Sequence, residues 1–538
     1  MEFLIDIEKN GKKYKIKSLY NDVCKLKYSK VGNNEILTIK SDENIKINKA
    51  TITIPFSYKS DDLIFCNGYQ SWTDSFLYSK NDRLKNVSRL PKGLLKFYGF
   101  KMYGDSYFKK YHDNVIHGYD ISYVEGKHNL TIMNDNFRNN YLIINHDKLS
   151  KKIILEADCK DLIIPKDKEY RLFNYYIIED IPANLEFNNN FNLDFKKKII
   201  GYTSWYNHYQ NINEEIVSEC LDHLDSRFNL FQIDDGYESF VGDWLDIDQN
   251  KFPNGLKPLV DKAHEKNLMA GIWLAPFVCE KNSKLFKEHP EYLLKNDKGK
   301  PIKCGSNWSS FYALDFDNLD ARNYIKKSLK YFMDLGFDFF KLDFLYAVNV
   351  KPKLFETHSA LATRAYSFLR EVLKDKLILG CGAVISNSIG NFDYLRVGPD
   401  VSLIFDDVWF MKYMHRERIS TKITIQNTIY RSFFDGKLFL NDPDVFLLRD
   451  DNISLSFEQR KALIIINSLF GSVLMTSDDI KSYDDKKKEL LDFALDIFNN
   501  AKNKKYKKDG KNIIISFDLN DKKYKYIYDT KKGVLVNG

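Results

Sequence analysis

Between residues 196 and 477 short apolar runs alternate with longer amphipathic ones, and this rhythm limits the fold more than any other feature of the chain. Strand-like runs fall at 199–204, 230–233, 268–274, from 339 onward, and at 377–380, 394–397, 438–440 and 473–475. Between most of them lie helix-like runs at 213–226, 256–266, 319–335, 358–373, 418–434 and 457–470. Strands that alternate with helices predict a parallel sheet wrapped in helices. Eight such strands are what a closed (β/α)8 TIM barrel requires.

The chain has 538 residues, more than one barrel uses, so accessory domains are expected. Residues 1–195 read as an N-terminal β-sandwich, from short alternating runs at 12–19, 35–40, 50–54, 130–133, 141–144 and 170–178 separated by Asn, Asp, Gly and Lys. Residues 196–478 form the expected barrel. Residues 479–538 read as a helix at 486–498, a lysine-rich linker, and a small β-domain with strands at 512–517, 523–528 and 533–536. The fold class is therefore multidomain α/β.

Composition excludes several function classes. The net charge of +7 comes from 81 basic and 74 acidic residues, with lysines interspersed among Asp and Asn, so no nucleic-acid partner is implied. The seven cysteines form no CxxC pair, which argues against a disulfide framework or zinc cluster and for reduced thiols in the cytoplasm. The first residues lack the apolar core of a signal peptide, and no segment supplies the roughly 20 apolar residues of a membrane span. No strand end offers the His-x-His or His/Asp set of a metal-dependent barrel hydrolase, so neither metal nor cofactor is expected.

Polar and aromatic residues gather where the barrel strands end. Ser204, Trp205 and Tyr206 follow strand one, Asp234 and Asp235 strand two, and Trp273 lies in strand three. Lys341 and Asp343 close strand four, Cys381 and Gly382 strand five, Arg396 and Asp400 strand six, Asn441 and Asp442 strand seven. Barrel active sites are built at this end. Taken singly each has a bland explanation: Asp-Asp-Gly makes a turn, and Lys341 with Asp343 could be an ion pair closing a strand. Recurrence at seven strand ends favours a site.

The residue types suit glycoside hydrolysis. A retaining glycosidase needs one carboxylate as nucleophile and a second as general acid and then base. Asp343 suits the first role, with Lys341 two residues away on the same side of the strand to keep it ionised. Asp400 suits the second, because its Gly398-Pro399 loop can aim it across the barrel mouth and burial beside Asp343 would raise its proton affinity. Trp72, in an Asn-Gly-Tyr-Gln-Ser-Trp loop of the N-terminal domain, could stack on a sugar face, as could Trp205, Trp244, Trp273 and Trp308. Asp234 and Asp235 could accept paired hydroxyl hydrogen bonds.

The segments GYTSWYNHY, QIDDGY with GDWLDIDQNKFPNGLKPLVDKAH, GIWLAPF, FFKLDFLY and YLRVGPD together resemble the melibiase-type α-galactosidases of glycoside hydrolase family 36. The resemblance spans roughly 199–450, with the Gln-Ser-Trp loop extending it into the sandwich. It implies a retaining, metal-free, exo-acting α-galactosidase on small oligosaccharides or galactosides, with Asp343 as nucleophile and Asp400 as acid/base. It implies that Asp234 and Asp235 bind O4 and O6 of galactose, Lys341 O3 and O4, and Arg396 the O2 region. Trp205 and Trp273 would line the pocket, Trp72 would reach in from the sandwich, and Cys381 would sit beside the C2 substituent. The run GCGAVISNSIGNFDYLRVGPD looks like that of a shorter subgroup and leaves α-N-acetylgalactosaminidase open, along with another α-glycosidase or a non-catalytic galactoside-binding barrel. Part of the family is tetrameric, so a homo-oligomer is compatible with the resemblance.

Overall fold

The computed structural model describes residues 2–99, 102–105, 109, 112, 114–179, 193, 194, 196–406, 408, 411 and 413–538. Phe195, at the expected sandwich–barrel boundary, lies outside the described residues.

The N-terminal part forms two seven-stranded sheets with antiparallel pairing. Glu2–Lys9 shows why: Phe3, Ile5 and Ile7 alternate with more exposed residues and point to one face. Ile5, Ile39, Ile47, Ile144, Ile153 and Phe173, drawn from both sheets, meet in one core. Each fully buried side chain of this size contributes about 1.5–3 kcal/mol.

Eight parallel staves close the barrel. Ile199–Thr203 pairs with Leu230–Ile233, then follow Met269–Leu274, Phe339–Leu342, Leu377–Gly380, Tyr394–Arg396 and Leu440–Asp442. The seventh stave is split. Leu440–Asp442 pairs with the sixth, and Val445–Phe446 pairs with Val473–Thr476, which returns to Ile199–Thr203. Pro443 cannot donate to a ladder and Asp444 takes left-handed backbone at φ +73°, so the strand breaks there. The sequence reading placed this strand at 438–440, because apolar content marks Leu438 and Phe439. The paired residues are instead Leu440, Asn441 and Asp442, whose polar side chains are buried at the strand end.

Most of the longer barrel helices begin on side-chain caps. Asn213 accepts from Ile216 N at 2.8 Å, Thr357 from Ala360 N at 3.1 Å, and Ser456 with Gln459 forms a capping box. Such caps contribute about 1 kcal/mol each.

Two features depart from the sequence reading. The lysine-rich stretch expected as a linker is a strand, Lys502–Asp509, paired with Asn512–Leu519. Lys504, Tyr506 and Lys508 form its more sheltered face while the partner strand buries Ile513, Ile515, Phe517 and Leu519, so pairing and burial override the polar composition. The helix Asp485–Asn500 packs on Phe457–Phe470 and contributes Leu490, Leu491, Leu495 and Phe498 to the barrel's core. It completes the eighth β/α unit, and we place the division before the four-stranded terminal sheet rather than at 478/479. Among the described residues no helix is long and apolar enough to cross a membrane.

Candidate active site

The carboxyl ends of the strands converge on one pocket. Asp234, Asp235, Trp273, Lys341, Asp343, Asp400, Trp205 and Trp72 all line it. Its empty volume, open solvent at the mouth included, is about 930 Å³, within the range of small-molecule sites.

Asp343 sits just past its strand, where its backbone N–H donates to Leu274 O at 2.8 Å. Its carboxylate is held at both oxygens: Trp273 Nε1 donates to Oδ2 at 3.0 Å and Phe344 N to Oδ1 at 2.7 Å. Phe344 adopts left-handed backbone, φ +52°, and itself lines the pocket. The expected ion pair of Lys341 with Asp343 is not formed. Lys341 Nζ instead lies 2.8 Å from Asp234 Oδ2, which also accepts from Gln232 Nε2 at 2.6 Å and Thr203 Oγ1 at 3.2 Å. Burial pushes the lysine toward its neutral form, the Asp234 carboxylate is the main opposing influence with Asp343 adding to it, and the net direction is upward.

Asp235 accepts from Gln210 Nε2 at 3.1 Å on both oxygens and from Trp308 Nε1 at 2.8 Å. Burial raises its proton affinity, and hydrogen bonds from Gln210, the neighbouring Glu238 and Trp308 hold the rise in check. Glu238, deep beneath it, is raised further by burial and by the Asp235 charge, so Glu238 carries the proton of this carboxyl pair.

Asp400 exposes 36% of its side chain, and the exposed part faces the pocket. Burial raises its proton affinity, the Arg396 guanidinium opposes this, Asp343 adds to the rise, and the net direction is upward. Arg396 does not line the pocket. It stands behind Asp400 with its three nitrogens on three carboxylates: Nη1 to Asp400 at 3.0 Å, Nε to Asp442 at 2.8 Å and Nη2 to Asp444 at 2.9 Å. Cys381 is likewise one layer back, fully buried, and its thiol is pushed up by burial and by Asp343.

Trp72 arrives from the sandwich. Its loop is bonded to the fifth strand's end, Ser71 N to Ala383 O at 2.9 Å, and its indole N–H donates to Cys381 Sγ at 3.4 Å. Gly382, at φ +56°, is required there, since a Cβ would meet the Trp72 ring at 3.0 Å. The loop is also pinned by Arg431, a fully buried barrel residue that donates to the carbonyls of Ser71, Gln70, Gly68 and Val397. Trp244, grouped with the stacking tryptophans by sequence, packs edge-on against Trp273 at 5.8 Å and is wholly buried behind it.

Sequence reasoning named Trp308 but missed the contribution of Tyr103, Phe344, Tyr346 and residues 304–307 of the Trp308 loop to the pocket wall. That loop belongs to a three-stranded excursion after strand three, formed by Val278–Glu280, Lys303–Gly305 and Phe311–Ala313. Glu280 ties it down, accepting from Ser309 Oγ at 2.6 Å and from Val241 N at 3.1 Å. Trp308 and Ser310 take left-handed backbone there.

The mouth of the parallel barrel gathers carboxylates, tryptophans and a buried Lys–Asp pair in one pocket. Residues 187–372 match the family model Melibiase. Alpha-galactosidase 1 of Pediococcus pentosaceus is 28% identical over 194 residues, 33% of this chain and 25% of that protein. Alpha-galactosidase Mel36A of Lactobacillus acidophilus is 31% identical over 149 residues, 26% of this chain and 20% of that protein. The matched segments thus span a quarter or less of those relatives' lengths. Among solved structures, the α-galactosidase TtGalA of Thermus thermophilus, in complex with p-nitrophenyl α-D-galactopyranoside, superposes with a TM-score of 0.70 at 22% identity, covering 93% of this chain and 98% of that one. The GH36 α-galactosidase AgaA of Geobacillus stearothermophilus superposes at 0.63 and 13% identity, covering 97% and 80%. These likenesses carry the fold, and they agree with the family that the sequence motifs resemble.

Proposed function

We propose that the protein is a retaining, exo-acting α-galactosidase that removes terminal α-linked galactose from small galactosides or oligosaccharides. The observation that carries this reading is the presence of Asp343 and Asp400 in one pocket with different surroundings: Asp343 is held by two N–H donors, whereas burial and the nearby Asp343 raise the proton affinity of Asp400 against the pull of Arg396. Two carboxyl groups in one pocket with unlike surroundings are what double displacement needs. Asp343 attacks the anomeric carbon, and the proton of Asp400 goes to the departing oxygen as the glycosidic bond breaks. Asp400 then takes a proton from the water that releases the sugar.

The pocket also supports the recognition half of the reading. Asp234 and Asp235 offer adjacent carboxylates to O4 and O6, Lys341 reaches O3 and O4, and Trp72, Trp205, Trp273 and Trp308 supply apolar walls. The role of Arg396 is better read through Asp400 than through O2, since carboxylates occupy all three of its nitrogens. Seven free thiols support a cytoplasmic setting.

The test is hydrolysis of p-nitrophenyl α-galactoside, α-N-acetylgalactosaminide and α-glucoside by the wild type and Asp343→Ala. Cleavage of the galactoside alone, lost in the variant, is the expected result. Preference for the N-acetylated sugar would move the specificity, and inertness toward all three would favour a galactoside-binding barrel.

A further inference from the structure

The broken seventh stave brings two aspartates, Asp442 and Asp444, to the rear of the pocket without letting either reach it. Both are buried, and both bind the guanidinium that would otherwise act on Asp400 alone. Asp444 is fixed by Tyr206, whose hydroxyl donates to Oδ2 at 2.5 Å, and by Val401 N at 2.7 Å. Asp442 Oδ1 accepts from Asp444 N at 2.9 Å. Residues two apart share one face of a strand, and across the break at Pro443 and Asp444 both Asp442 and Asp444 still meet the same guanidinium.

We propose that Asp442 and Asp444 are positioning residues that neutralise Arg396, so that Arg396 orients the Asp400 carboxyl without stripping its proton. This inference rests on the reading of Asp400 as the acid/base. An arginine paired with one carboxylate stabilises the ionised acid strongly, which would disable a proton donor. With Asp442 and Asp444 on its other edges, the guanidinium charge is already met.

The surroundings of Asp400 agree. It faces two cations, Arg396 and Lys341, and the carboxylates of Asp343, Asp234 and Asp444. Among the described residues Tyr206, Tyr209 and Cys381 also feel its charge, and burial raises the proton affinity of all three; Glu417 and Arg418 line the same pocket. Asp444 itself is raised to about 6 by burial, against the pull of Arg396 and with the push of Asp400 and Asp442. Removing one of these negative charges leaves more of the Arg396 field for Asp400.

The experiment compares wild type, Asp444→Asn and Asp442→Asn in the pH dependence of kcat/KM on methyl α-galactoside, a poor leaving group, and on p-nitrophenyl α-galactoside. Either variant is expected to move the alkaline limb on the methyl glycoside to lower pH by about one unit. Near pH 8 that lowers turnover of the methyl glycoside by about tenfold more than turnover of the aryl one, which needs little protonation. Circular dichroism identifies a variant that fails to fold, in which case the other carries the test. An unmoved limb, or equal losses on both substrates, overturns the inference while the glycosidase reading stands. A wild type inert on both galactosides refutes that reading and takes the inference with it.

Discussion

Lys341 Nζ lies 2.8 Å from Asp234 Oδ2, and both side chains are almost wholly withdrawn from solvent. The pair joins the fourth strand to the second across the mouth of the barrel, so that a cation in the Lys-x-Asp stretch serves a carboxylate more than a hundred residues away. Asp343 is consequently held by Trp273 and by its own following amide.

Breaking that pair strands a charge. Lys341→Met is expected to lower stability by about 3–5 kcal/mol, because Asp234 is left buried without its counter-ion. Adding Asp234→Asn should restore part of the loss, and urea denaturation of the single and double variants reads both effects.

The two carboxyl groups differ in what their removal does. Asp343→Ala is expected to abolish turnover of every galactoside. Asp400→Ala should slow substrates with poor leaving groups far more than activated aryl galactosides, for which protonation matters little. Equal loss on both types would refute the acid/base role.

Trp308 donates the hydrogen bond that fixes the outer carboxylate of the Asp234–Asp235 pair. Trp308→Phe keeps the ring and removes the donor. We expect KM for p-nitrophenyl α-galactoside to rise roughly tenfold, the worth of about one such charge-assisted bond, with a smaller change in kcat.

Arg431 is the hinge pin between the two large domains. Arg431→Met leaves the carbonyls of Gly68, Gln70, Ser71 and Val397 buried and short of a donor. A loss of about 3 kcal/mol or more in thermal or chemical unfolding is expected, together with a raised KM as Trp72 loses its seat.

Asp120 gives a pH signature to stability. It joins sandwich to barrel through the Ser386 hydroxyl at 2.5 Å, and burial raises it to about 6. The folded state therefore binds the proton more tightly than the unfolded chain, so stability falls as pH rises from about 4 to 6 and levels off above. Asp120→Asn should flatten that slope in urea titrations at pH 4.5 and 7, and an unchanged slope would discount the role of this group.

The barrel was legible because its signal is local. An apolar strand, a capped helix and a turn each depend on residues within one window, so Leu230–Ile233, His358–Leu373 and Phe457–Phe470 were located from sequence to the residue. The two candidate catalytic carboxylates were legible for a related reason: a charged residue that ends an apolar strand has few structural uses. Where composition and pairing disagree, the signal fails. Lys502–Asp509 looks solvated along its length, yet a neighbouring strand with an apolar face makes it part of a sheet.

The sequence by itself determined the number and order of the barrel's strands, the sandwich before them, and the end of the barrel where polar groups collect, since periodicity and chain direction settle these. Only the tertiary structure decided the partners. That Lys341 meets Asp234, that Arg396 is shared by Asp400, Asp442 and Asp444, that Trp308 donates to Asp235 and that Arg431 pins the Trp72 loop all depend on chain segments brought together by barrel closure and docking of the sandwich. Electrostatic and hydrogen-bond energies are set by distances of a few ångströms between such segments, and a linear pattern carries no record of those distances.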